Sequence, residues 1–124
     1  MDSKLESRWF SFSQNNSGGS FHHEPLDGIG RFVFIEAQNA AHAKDRAERI
    51  GLYFNGCASG LDCSCCGDRW SDYVDDSDGE AVPMRYGETY REAVDGEAPE
   101  LDWGIPSYIH RIGGEFHAAV KVGP

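Results

Sequence analysis

Positive charge is the scarcest feature of this 124-residue chain. Eleven Lys and Arg stand against 21 Asp and Glu, which leaves a net charge of −10 and a pI near 4.7. Sequence-independent grip on duplex DNA needs a dense cationic face for the phosphates, so direct duplex binding is excluded. Docking on an anionic membrane surface is excluded on the same ground. A small anionic ligand is not, because a few Arg side chains and backbone N–H groups can hold one locally. Basic partner proteins also suit this charge. Long apolar runs are missing too, and nothing approaches the roughly 20 residues of a membrane span. The opening Met1-Asp2-Ser3-Lys4-Leu5-Glu6 has neither an apolar core nor a signal-cleavage pattern. The expectation is a reducing cytoplasm, in which the four cysteines read first as thiols or metal ligands.

Several well-marked chemistries are absent as well. Gly28-x-Gly30 precedes a strand-like run and lacks the third glycine of a dinucleotide fingerprint. There is no phosphate loop of the Gly-x-x-x-x-Gly-Lys type and no nucleophile elbow; His22-His23-Glu24 and Cys63-Ser64-Cys65-Cys66 have the spacings of a zinc-deaminase His-x-Glu and Cys-x-x-Cys, but Asp62 stands where that signature has Pro. The one Cys-x-x-Cys spacing, Cys63 to Cys66, encloses a third thiol, Cys65, and a redox role is the weaker reading. The acidic stretch 72–80 fails as a calcium loop: with Gly79 at the sixth position, Val74 and Arg85 fall where oxygen ligands are required.

What is present reads as a globular domain. Hydrophobic residues make up 40% of the chain, enough to argue against wholesale disorder. Residues 8–13 read as a strand and 14–20 as a dense turn, with 21–25 resuming an extended path and 27–30 turning again. Residues 31–37 are the clearest strand, aromatic and β-branched. Ala40, Ala43, Ala47 and Ile50 recur at helical spacing between an Asn39 cap and a Gly51 stop, which predicts a helix over 40–50. Residues 52–54 suggest a short strand, 57–66 an irregular cysteine segment, and 87–93 a turn or two of helix. Near the end, two β-type runs flank Gly113-Gly114, a strong hairpin signal. The sum is a single α+β domain over 1–124, an antiparallel sheet of about four or more strands packed with one main helix and a loop-rich, cysteine-containing middle.

Candidate sites follow from side-chain chemistry. Cys57, Cys63, Cys65 and Cys66 could together hold a zinc ion, with His22, His23, His110 or His117 as a replacement ligand. The spacing is poor for zinc, because three thiols crowd into four positions and one stands apart; loop thiols without metal are the alternative. Gln14, Asn15, Asn16 and Ser17 offer donors and acceptors, and Gly18-Gly19 allow close backbone approach, which suits a sugar, a base edge or a phosphate. A structural turn is the alternative there. In Cys66-Gly67-Asp68-Arg69-Trp70, Arg69 supplies an anion fork, Trp70 a stacking face and Asp68 an orienting carboxylate. The alternative is an Asp68–Arg69 pair tying down a loop, with Trp70 plugging the core.

The run Phe12-Ser13-Gln14-Asn15-Asn16-Ser17-Gly18-Gly19-Ser20-Phe21 resembles the opening of a small protein family of unknown function encoded by tailed bacteriophages. Phe34-Ile35-Glu36-Ala37, the Ala-rich helix, Gly51-Leu52-Tyr53-Phe54-Asn55-Gly56 and Asp62-Cys63-Ser64-Cys65-Cys66-Gly67-Asp68-Arg69-Trp70 follow in the same order, so that the resemblance covers about half the chain. In that family's pattern the position of Cys57 is often not Cys, which counts against a four-cysteine zinc site. The resemblance implies a phage product acting in the infected host's cytoplasm and assigns no catalytic residue. By analogy with phage proteins that face nucleotide-based immunity, the expectation is an accessory, immune-evasion protein that sequesters a small nucleotide-type ligand or signal without hydrolysing it. Gln14, Asn15, Asn16, Ser17, Asp68, Arg69 and Trp70 would form the site, in a homodimer or higher assembly. The first alternative is an acidic protein–protein inhibitor, a nucleic-acid mimic of a host defence or nucleic-acid-binding protein, which the −10 charge favours. The second is an enzyme using His22, His23, His110 or His117 as base and Asp68 as orienter, which no recognised spacing supports.

Overall fold

A computed structural model describes residues 7–14, 21–54, 69–70, 79–85, 87–102 and 104–122. The chain runs β1 (Arg8–Ser13), a 3-10 turn (Pro25–Asp27), β2 (Phe32–Ala37), α1 (Ala40–Ile50), β3 (Met84–Arg85), β4 (Glu88–Glu92), β5 (Leu101–Asp102), β6 (Ile105–Pro106), β7 (Tyr108–His110) and β8 (Phe116–Lys121). Six strands form one sheet in the order β1-β2-β7-β8-β4-β3, and β5 and β6 make a separate two-stranded ribbon. Among the described residues, one helix and a six-stranded sheet, larger than the expected minimum of about four strands, give the α+β architecture.

The sheet is mixed rather than purely antiparallel. β2 pairs in parallel with β7 through Val33↔Tyr108, Phe34↔Ile109 and Ile35↔His110, and every other pairing is antiparallel. A parallel pair needs a long crossover; here the whole of 38–107, including α1, lies between the two strands. The sheet also curls until its ends meet. Trp9 and Glu80 exchange backbone hydrogen bonds of 2.8 Å, and the Arg85 guanidinium of β3 donates to the Ser13 hydroxyl of β1 at 2.5 Å. The result is nearly a barrel.

Curling explains the apolar run Phe32-Val33-Phe34-Ile35. A strand covered on one face alternates, but one covered on both faces reads as continuous hydrophobe. Phe10, Phe12, Val33 and Ile35 face outward and pack with Ala43, Ala47, Leu52 and Trp70. Trp9, Phe32, Phe34, Tyr90, Ile109 and Ala119 fill the inside of the curl. The two sets alternate residue by residue along β1 and β2, as a strand's period of two requires.

The helix forms as its sequence predicts. The Asn39 side chain accepts from the His42 amide at 2.8 Å, and the Gly51 amide closes the last turn onto Ala47 and Glu48 with φ at 121°, a backbone angle that favours glycine. Ala43 and Ala47, both fully buried, let the helix sit close to the sheet. Two further sequence expectations differ from the structure. Residues 88–92 are strand β4 rather than helix, because Tyr90, Arg91 and Glu92 are held in the ladder by β8 and Glu88 and Thr89 by β3. Residues 52–54 form no strand; Leu52 instead drops into the helix-side core. The cysteine segment 57–66 and most of the acidic loop 72–80 lie outside the described residues.

Candidate functional site

The two polar segments singled out in the sequence are joined at their described ends. Gln14 and Trp70, the described ends of those segments, form an antiparallel bridge although they are far apart in the chain. Gln14 is buried and its amide is fully engaged: Nε2 donates to the carbonyls of His22 and Gly30, each at 2.7 Å, and Oε1 accepts from the His22 amide at 2.6 Å. Its backbone carbonyl accepts from Arg31 at 2.8 Å. Gln14 therefore ties the 21–30 segment to β1 and shapes the site from beneath.

Trp70 is 1% exposed, so its ring is core and presents no open face for stacking. Its indole N–H donates to Nδ1 of His22 at 3.3 Å, edge-on to the imidazole. This bond leaves the His22 proton on Nε2, which lies 3.9 Å from Glu24. Burial lowers the His22 pKa below its ordinary value; Glu24 opposes the shift and Arg69 adds to it. The Arg69 guanidinium donates through Nε to the Tyr53 hydroxyl at 3.1 Å and is partly exposed. A guanidinium, a phenol and a near-neutral imidazole thus gather where the two segments leave the described structure. That set can recognise an anion and an adjoining polar group. Asn15, Asn16, Ser17 and Asp68 lie outside the described residues, as do Cys57, Cys63, Cys65 and Cys66. Among the described residues no group of three or more His, Cys, Asp or Glu is placed to hold a metal ion.

The other histidines separate by environment. His23 is exposed. His110 is buried, stacks on Phe116 at 4.9 Å, and holds the Gly28 carbonyl through Nε2 at 2.8 Å. Gly28 has φ at 70°, and a Cβ there would stand 2.7 Å from the His110 ring, so glycine is required on both counts. Burial lowers the His110 pKa below 6.5; the Gly28 bond opposes this and Arg46 adds to it. A depressed histidine binds its proton more weakly folded than unfolded. Its stabilising contribution is therefore complete above about 6.5 and is lost as pH falls towards the lower folded value. The urea midpoint should accordingly drop between pH 7 and pH 5.5, and His110→Gln should flatten that dependence. An unchanged slope in the variant would assign it to another group, His22 first.

His117 belongs to a constellation that sequence reasoning missed. Glu92 accepts from Arg111 Nη2 at 2.7 Å and from His117 Nδ1 at 2.9 Å. Arg111 above all, then His117, hold the Glu92 carboxyl below the usual carboxylate range, against a desolvation cost. The three residues come from the end of β4, the residue after β7 and the start of β8. Only the strand register brings them together, and no local motif announces it. They border a cleft of about 690 Å³ whose floor includes Trp9, Tyr90 and Ile109.

Over residues 7–122 the chain matches a family described as a domain of unknown function (DUF7296). The chain belongs to this family. No curated protein and no solved structure matches it. The DUF7296 match spans β1 to β8, so the curled sheet, the helix and both polar constellations all lie within it. Among the described residues, no helix of this DUF7296 chain is long and apolar enough to cross a membrane.

Proposed function

We propose that the protein is a phage-encoded binding module that sequesters a small, anionic, nucleotide-type ligand in the host cytoplasm and releases it unchanged. The observation that carries this reading is the Gln14–Trp70 bridge, which brings both polar segments to one place beside Arg69, Tyr53 and His22. Arg69 is the anion contact, and Asn15, Asn16, Ser17 and Asp68 supply the remaining polar contacts. Gln14 and Trp70 position the loops from the core. Cys57, Cys63, Cys65 and Cys66 remain the candidate zinc ligands, should the loop carry a metal.

Native mass spectrometry of the purified protein, before and after denaturation, tests the reading. The expected result is an extra mass that departs intact. Arg69→Ala should lose that mass, with binding weakened at least tenfold for a charge-assisted contact worth about 2 kcal/mol. Its thermal midpoint should stay within a few degrees of wild type. A bare protein with no adduct, and no ligand recovered from phage-infected extract, would overturn the proposal. The −10 charge would then favour an acidic inhibitor of a basic host protein, to be sought by salt-sensitive pull-down.

A further inference from the structure

The cleft of about 690 Å³ lies apart from both polar segments, and none of its lining residues belongs to them. Its size falls within the roughly 300–1,000 Å³ of small-molecule sites. Its walls are unusual for a protein surface. Val82, Val94 and Val122 are 41%, 66% and 45% exposed and all line this cleft, so apolar surface that would be scattered elsewhere is gathered here. The edges of the buried Trp9 and Tyr90 continue it inward.

The rim gathers cations in a chain that has few of them. The lining holds Arg91 and Arg111, paired with Glu97 and Glu92 respectively, with His117 beside Glu92. Both guanidinia are held in place beforehand. Arg91 pairs with both oxygens of Glu97 at 2.8 and 2.7 Å, and Arg111 lies 5.8 Å from the Trp9 ring centre while it grips Glu92. Pre-set cations lose little freedom on binding.

The remaining hydrogen-bonding capacity decides the sign of the ligand. The two Glu92 oxygens are saturated: Oε1 accepts from Arg111 Nε and Nη2, and Oε2 from Arg111 Nε and His117 Nδ1. A cationic ligand therefore finds no open acceptor on Glu92. The donors are not exhausted, since Arg111 Nη1 and Arg91 Nε have no hydrogen-bond partner among the described residues.

We propose that this cleft is a second ligand site, independent of Arg69, for a small amphipathic carboxylate: an apolar body lies against the valines and the Trp9 and Tyr90 edges, and the carboxylate meets the open donors of Arg111 and Arg91. The test is calorimetric titration of the whole chain with 1-naphthaleneacetate and, in parallel, with its neutral isostere 1-naphthaleneacetamide. The acetate should bind at least tenfold more tightly and shift the indole N–H resonance that Trp9→Phe removes. Arg111→Met should erase the preference for the acetate. Because that change also frees Glu92, Arg91→Met is the second variant and should reduce the preference with Glu92 still gripped. Arg69→Ala should leave acetate binding unchanged. Equal affinities for the two compounds, no binding at millimolar concentration, a preference that survives both Arg variants, or loss of binding in Arg69→Ala would each overturn the proposal.

Discussion

Gln14→Glu should cost about 3 kcal/mol of folding stability, a large share of the roughly 5–15 kcal/mol that holds a domain of this size together. The change is nearly isosteric, so packing is preserved and chemistry alone is tested. In the native side chain, Nε2 donates to the carbonyls of His22 and Gly30, and Oε1 accepts from the His22 amide. A carboxylate keeps the acceptor but points its second oxygen at two carbonyl oxygens. The carboxyl then either stays charged and repels both, or takes up a proton and satisfies only one. The group is buried, so water cannot fill the gap. Urea denaturation should show the midpoint lowered with an unchanged slope, and a melting temperature lower by on the order of 10 °C. The loss should shrink as pH falls from 7 to 5, because protonation restores one donor. A Gln14→Glu variant of wild-type stability would mean that the amide network is not what secures the 21–30 segment. The site would then have to be rebuilt with Gln14 as a ligand contact.

The same residue shows where sequence reading stops. A glutamine in a run of Asn, Ser and Gly reads as polar surface, and nothing local distinguishes it from Asn15 or Asn16. Its burial depends on Gly30 and His22 arriving beneath it, and on Trp70 pairing with its backbone. Trp70 has the same history: beside Asp68 and Arg69 it reads equally as a stacking face or a core plug, and only the described packing makes it core. Elements with local causes were legible. Asn39 and Gly51 cap α1 as their chemistry dictates, β1 and β2 fall within a residue of the expected bounds, and the β7–β8 hairpin surrounds Gly113-Gly114. Elements with non-local causes were not. β4 shows too little apolar alternation to announce itself and becomes strand by pairing with β8. The parallel β2–β7 contact, and with it the Glu92–Arg111–His117 cluster, exists only because a long crossover returns the chain to β2. The bridge between the two polar segments is likewise a product of the topology, although each segment was visible alone.

Gly30→Ala should be more damaging still, with a loss above about 4 kcal/mol that leaves little soluble protein. The backbone at Gly30 has no left-handed φ, so the requirement is space alone. A Cβ at this position would lie 1.9 Å from the Pro106 carbonyl oxygen, inside any possible contact distance, and 3.0 Å from both the Pro106 carbonyl carbon and the Tyr108 ring. The oxygen cannot retreat cheaply. It accepts the Arg31 amide at 2.9 Å, immediately before β2, and the next residue is pinned twice: Ser107 Oγ accepts from the Phe32 amide at 3.0 Å and its carbonyl from the Ala119 amide at 2.8 Å. Those three bonds stitch the start of β2 to the entry of β7 and to β8. Moving Gly30 instead pulls its carbonyl away from Gln14, so strain at one methyl group spreads into the network that carries the candidate site. Gly113→Ala is the matched control: a Cβ there meets nothing within 4 Å, and stability should change by no more than about 0.5 kcal/mol. Comparable solubility and urea midpoints for the two variants would show that β2 and β7 approach less closely than this packing requires. A collapsed Gly30→Ala beside an intact Gly113→Ala would place the folding-critical contact of the parallel pair at the foot of the proposed ligand site.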